Sequence, residues 1–180
     1  MTTELEKALT DGATGLHFVL LDKADSNQSM WAVGDEVLVA VGAAGGPDTL
    51  SRWADEQLTG FNTWVKYVHT KVLLVDPLSA DPTVITGSAN FSPDSTNTND
   101  ENVLVIRGDR DVADVYFTEY ARMFQHFYAR YWALRLVGAG HAADAGAFLT
   151  EDESWQAPYV TGHKQELRLL YANRVEANAP

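Results

Sequence analysis

The chain contains no cysteine. Disulfides, thiolate catalysis and sulfur-built zinc sites are therefore excluded, while the redox compartment stays undecided. Long apolar runs are missing too. The longest stretch free of charged or strongly polar side chains, Val37 to Pro47, falls well short of the roughly 20 residues that span a bilayer. No basic segment leading into an apolar one opens the sequence, so no signal peptide is expected and the localisation is left unassigned. Positive charge is scarce: 13 Lys and Arg stand against 25 Asp and Glu, for a net charge of −12. The deficit is uneven, with −7 in residues 1–60, −5 in residues 61–120 and none in residues 121–180. A protein that grips a long polyanion nonspecifically carries a basic stripe, and none is visible. Nucleic acid is thus the less expected partner, although a local pocket can still hold a single phosphate.

What is present is enough for a folded core. The 180 residues match the size of one domain, and 46% are hydrophobic. Strand-like runs occur at 15–21, 36–41, 64–69, 70–75, 83–86 and 102–106, each closed by turn residues. Helix chemistry occurs at 2–9, 47–58, 109–137 and 165–172. Residues 92–100 are polar and read as a loop, and 138–146 as a small-residue linker. In the long helix, Val112, Tyr116, Tyr120, Met123, Phe124, Phe127 and Tyr131 recur at three- and four-residue steps. Such a stripe is expected to pack and not to hold a cofactor. Trp155 and Tyr159 are likewise expected to pack, and the run Glu151–Glu153 to start a helix or face water. Strands interleaved with helices define an α/β protein, a mixed β-sheet flanked by helices.

The residues fit for chemistry cluster in the middle third. His69 and Lys71, two apart on an expected strand, should share one face, and Asp76 should lie on the other. Ser88 and Asn90 follow Gly87 at a strand end, where chain and ligand can approach closely. Glu101 comes eleven residues after Asn90, at the start of the next strand. An ammonium, an amide and a hydroxyl beside an imidazole suit a phosphate: donors for its oxygens and one nitrogen nucleophile. A nearby carboxylate would fix the imidazole tautomer. No acidic cluster or helical pair of histidines accompanies the set, so neither a metal nor another cofactor is expected.

His69-Thr70-Lys71 running on to Asp76 resembles the HxKxxxxD element of the phospholipase D superfamily. Gly87-Ser88-Ala89-Asn90 is similar to its GSxN element, and Asn99-Asp100-Glu101-Asn102 to its trailing acidic segment. The ordered set is far more specific than any one of its parts. The likeness covers roughly residues 60–135, reaches more faintly to Trp155 and Tyr159, and points to the C-terminal half of bacterial two-element proteins.

The resemblance implies a single phospholipase D-like domain with a catalytic half at 1–137 and a C-terminal extension at 138–180 packing on it. It implies a phosphodiesterase working through a covalent phosphohistidine. His69 would be nucleophile or acid partner, Lys71 and Asn90 phosphate ligands, and Ser88 a supporting donor. Glu101 would orient the histidine, and Asp76 and Gly87 would be structural. Two departures stand out. Ten residues separate Asp76 from Gly87, which implies an extra turn at 78–82. Only one HxKxxxxD is present, since His17, His126, His141 and His163 have no lysine two residues on. Because that chemistry uses two elements, a homodimer or a missing N-terminal half would supply the second. Phospholipid or another small phosphodiester is the expected substrate. A metal-independent endonuclease and a catalytically incomplete assembly module are the alternatives.

Overall fold

The computed structural model describes residues 7, 16–22, 37–42, 68–138, 152–161, 164–165 and 167–169. The chain divides into two compact units, one built from Met1–Ala13 with Val68–His126 and the other from Thr14–Tyr67 with Phe127–Pro180. Both contain strands and helices, so the fold is α/β. The parallel and antiparallel parts of the expected sheet form two ladders among the described residues.

In the second unit, β1 (His17–Leu21) pairs in parallel with β2 (Val37–Val41), His17 opposite Val37 and Leu21 opposite Val41. The amide of Gly42 donates to the Leu21 carbonyl at 2.8 Å and extends the ladder by one bond. Val39, Ala40 and Val41 are buried in succession, so β2 is covered on both faces. A near-continuous apolar run is the pattern that such a strand requires.

The first unit holds an antiparallel sheet of β3 (Val72–Val75), β4 (Thr83–Gly87) and β5 (Val103–Arg107), with β4 in the centre. Val72 pairs with Thr86 and Val75 with Thr83, while Thr83 pairs with Arg107 and Gly87 with Val103. Cross-strand partners share a face. One face therefore carries Val72, Leu74, Val84, Thr86, Leu104 and Ile106, with Val84 only 1% exposed. Full burial of a valine contributes about 1.5–3 kcal/mol. The other face carries Leu73, Val75, Ile85, Val103 and Val105, and none of these is buried.

Between β4 and β5 stands α1 (Pro93–Asn97), where a loop is expected from the polar composition. The reason is local. The Ser92 side chain accepts from the Ser95 amide at 3.4 Å as N-cap, and Pro93 follows with its φ already suited to a first turn. After β5, α2 (Arg110–Gly138) begins where Asp109 Oδ1 accepts from the Val112 amide at 3.1 Å. Its stripe packs as expected: Phe124 and Phe127 are buried, and the Tyr120 and Phe124 rings stack at 6.2 Å between centroids. Val115, off that stripe, is 69% exposed.

Near the C-terminus, Asp152 caps a 3₁₀ turn at Glu153–Gln156, and α3 (Ala157–Val160) follows. Hydrogen bonds from the Ser154 hydroxyl and amide hold the Asp152 carboxyl below the usual carboxylate range. Trp155 meets Tyr159 edge-on at 6.3 Å, and Lys164 Nζ lies 5.2 Å from the Tyr159 ring centre. Lys7 is helical, as are Gln165 and Leu167–Leu169. The helix expected at 47–58, the strand at 64–67 and the linker at 139–146 lie outside the described residues.

Candidate active site

The first unit gathers the motif residues other than Asp76 at one end of its sheet. β4 runs toward this end and finishes at Gly87, while β3 and β5 both start from it. Three separate stretches thereby meet: 69–71 before β3, 87–90 at the end of β4, and 99–102 before β5.

Gly87 is what lets them close. A Cβ at this position would lie 2.1 Å from the main-chain oxygen of Asn102, and the residue sits at φ 156°. Only hydrogen fits there. The tight approach lets the Ser88 amide donate to the Asn102 carbonyl at 3.1 Å and to Asn102 Oδ1 at 3.3 Å. In return the Asn102 amide donates to Ser88 Oγ at 3.0 Å.

Ser88 Oγ then donates to Glu101 Oε2 at 2.5 Å, and Asn99 Nδ2 donates to Glu101 Oε1 at 3.4 Å. The Ser88 hydroxyl holds the half-buried Glu101 carboxyl below the usual carboxylate range. Partial burial opposes this, while Asn99, Ser95 and the positive charge of Lys71 reinforce it. Glu101 and Lys71 thus belong to one electrostatic neighbourhood.

His69 and Lys71 differ from their expected setting. Both precede β3, which starts only at Val72, although the register sets Lys71 opposite Gly87, the last residue of β4. Side chains take over from the ladder there. Thr86 Oγ1 donates to the Lys71 carbonyl at 3.1 Å, and Lys71 Nζ donates to the His69 carbonyl at 2.8 Å. The second bond ties the ammonium to the backbone of the residue that bears the imidazole. His69 and Asn90 are exposed, and the Asn90 carbonyl accepts from the Ser92 amide at 2.8 Å.

Two expected contacts are replaced. The carboxylate expected to orient the imidazole bonds Ser88 and Asn99 instead, and among the described residues His69 makes no side-chain hydrogen bond with Glu101. A hydroxyl has one proton to give. With that of Ser88 given to Glu101, the serine as it stands offers no donor to a phosphate. Asp76 lies at the opposite end of β3, exposed and at φ 46°, its carbonyl accepting from the Ser79 amide at 2.9 Å in the turn before β4. At about 3.3 Å per residue, the strand keeps it about 16 Å from Lys71.

Asn102 has no role in the motif reading beyond its place in the acidic segment, and Ser95 lies outside the motifs altogether. The capped start of α1, signalled by Ser92-Pro93, places Ser95 where it is buried and acts on Glu101.

Residues 19–127 match the family described as "Cardiolipin synthase, PLD-like domain". The chain belongs to this family. The matched span takes in all the motif residues of the site and the greater part of the chain. No curated protein and no solved structure matches. Membership supports a phosphodiesterase-type role for this PLD-like chain. Among its described residues, no helix is long and apolar enough to cross a membrane.

Proposed function

We propose that this PLD-like protein is a phosphodiester hydrolase that works through a covalent phosphohistidine on His69. The observation that carries the reading is the meeting of the HxK, GSxN and Glu101 segments at the end of β4, inside a PLD-like domain. The His69 imidazole attacks phosphorus, and the P–O bond to the leaving alcohol breaks as that oxygen takes a proton from a second histidine. The second histidine then removes a proton from water, whose oxygen displaces His69 and releases the phosphomonoester. Lys71 and Asn90 hold the non-bridging oxygens, where negative charge builds in the transition state.

One chain offers one such histidine, so a second copy or a preceding half completes the reaction. The open sheet face supports a partner: Val75, Val103 and Val105 are 45%, 58% and 47% exposed. Strand alternation carried back from Leu73 sets Lys71 on that same face. Isologous pairing through it would bring two His69 residues toward one phosphate. The net charge of −12 favours phospholipid or another small phosphodiester over nucleic acid.

The test is a panel of phospholipids, small phosphodiesters and DNA, assayed with the wild type and His69→Ala beside sedimentation analysis. Turnover that vanishes in folded His69→Ala supports the mechanism. Near-native turnover in that variant overturns it, and activity from a species that stays monomeric overturns the self-completing dimer.

A further inference from the structure

We propose that Ser88 is a positioning residue for Glu101, set by Asn102, and not a ligand of the substrate phosphate. The inference deepens the reading above and rests on it for the identity of the reaction alone. Its geometry stands separately.

Both hydrogen-bond donors of Ser88, its amide and its hydroxyl, are engaged. Its amide is shared between the main-chain carbonyl and Oδ1 of Asn102, at 3.1 and 3.3 Å. Its Oγ accepts from the Asn102 amide at 3.0 Å, which leaves the hydroxyl proton to point elsewhere. It points at Glu101 Oε2, 2.5 Å away. A phosphate approaching Ser88 would have to break this charge-assisted bond, which is about twice as strong as a neutral one. It would also meet the negative carboxylate that the serine already serves. Phosphate oxygens are better matched by the ammonium of Lys71 and the exposed amide of Asn90.

Positioning has a physical content here. The groups that face Glu101 are the Ser88 hydroxyl from the end of β4, the Ser95 hydroxyl from α1, the Asn99 amide and the Lys71 ammonium. Ser88 fixes one carboxylate oxygen and Asn99 the other, so the charge stands in one place beside Lys71. Ser88 and Glu101 act as a unit, and removing either dissolves the same arrangement. Asn102 is the keystone, because its main chain orients the hydroxyl while its side chain holds the serine backbone.

The experiment is a carbon-13 NMR titration of the Glu101 carboxyl in the whole protein, run on the wild type, Ser88→Ala, Ser88→Thr and Asn102→Ala. The expected result is a midpoint that rises toward the ordinary glutamate value in Ser88→Ala and returns in Ser88→Thr, which keeps the hydroxyl. Asn102→Ala should give a smaller rise. Inorganic phosphate binding, followed by phosphorus NMR, should change less than about twofold in Ser88→Ala, because no phosphate bond is removed. An unmoved Glu101 midpoint, or at least tenfold weaker phosphate binding in Ser88→Ala, overturns the proposal.

Where turnover is measurable, a double-mutant cycle adds a kinetic arm. Ser88→Ala and Glu101→Gln should each lower kcat/KM by about tenfold, and the double variant should be no worse than the weaker single one. Multiplying losses overturn the unit. Titration and phosphate binding need no turnover, so a protein inactive on every phosphodiester defeats the proposed function and leaves this proposal to be decided by NMR.

Discussion

The two ends of the three-stranded sheet are built from the same materials and used differently. At the Asp76 end the chain turns from β3 into β4, and the bonds are local or main-chain: Ser79 amide to Asp76 carbonyl at 2.9 Å, and Gly108 amide to Pro82 carbonyl at 2.9 Å. At the Gly87 end, side chains reach across strands, joining residues 13 and 14 apart in sequence. Each end also carries a glycine at positive φ, with Gly108 at 71° and Gly87 at 156°. Gly108 would place a Cβ only at ordinary contact, 3.4 Å from Asp81, whereas Gly87 has a backbone oxygen where the Cβ would be. One end turns the chain; the other brings polar groups together and holds them. A fold that concentrates cross-strand polar contacts at one edge of an open sheet has made room there for chemistry.

The sharpest way to break this contrast is His69→Ala. No other side chain at the Gly87 end supplies a nitrogen nucleophile in the motif position, so turnover should fall below detection while circular dichroism stays native. Next come Lys71→Ala and Asn90→Ala. Each removes a donor aimed at developing charge and should lower kcat by about 10²-fold or more. Steady-state kinetics on the purified variants checks both, and a loss under threefold would take that residue out of the site.

Gly87→Ala attacks the architecture and not the chemistry. The new methyl cannot coexist with the Asn102 carbonyl, so β4 and β5 must part where Ser88 meets Glu101. Overpacking of this kind costs about 1–3 kcal/mol, readable as a lower urea midpoint. Gly108→Ala keeps the space but strains φ, and by comparison should leave the Ser88–Glu101 bond, followed by NMR, untouched.

Glu101→Gln separates the ends by pH. The fold holds the Glu101 carboxyl below its ordinary value, so its contribution to stability is present at neutral pH, above the unfolded-state value. It is lost as pH falls through the lowered folded-state value. Urea titrations between pH 7 and pH 3 should show a shallower acid loss in Glu101→Gln than in the wild type. Identical slopes would mean that the carboxylate is not held by Ser88 in solution.

Much of this was legible in the residues. The apolar, β-branched runs at 70–75, 83–86 and 102–106, the first two closed by Asp76-Pro77 and Gly87-Ser88, announce the three strands to within two residues. The motif spacing put Ser88 and Glu101 at strand boundaries, where the structure has them, while Lys71, expected inside a strand, lies just before β3. Register was the hidden quantity. That β3 begins only at Val72, after His69 and Lys71, is set by its pairing with β4, and that Ser88 faces Asn102 follows from the pairing of Gly87 with Val103. Both are long-range facts that no local pattern encodes. The partner of Glu101 depends on the same register: with Asn102 bonded to Ser88, the hydroxyl reaches the carboxylate. The helix at α1 was hidden for another reason, because its polar composition outweighed the capping signal of Ser92-Pro93.

The smallest expected effect is at the far end, and it sharpens the comparison most cheaply. Asp76 belongs to the motif by spacing, yet it is exposed, adopts φ 46° and has its carbonyl engaged within its own turn. What the position demands is a residue that tolerates the left-handed region ahead of Pro77. Asparagine tolerates it as well as aspartate does and lacks the charge. Asp76→Asn should therefore shift stability by no more than about 0.5 kcal/mol and change kcat/KM less than about twofold. Asp76→Val, with a β-branched side chain at positive φ, should instead cost about 1–2 kcal/mol in urea while the folded protein keeps its kcat. If Asp76→Asn loses activity tenfold with its urea midpoint unchanged, the charge of Asp76 matters to the reaction, and the two ends of the sheet are not divided between turning the chain and doing chemistry.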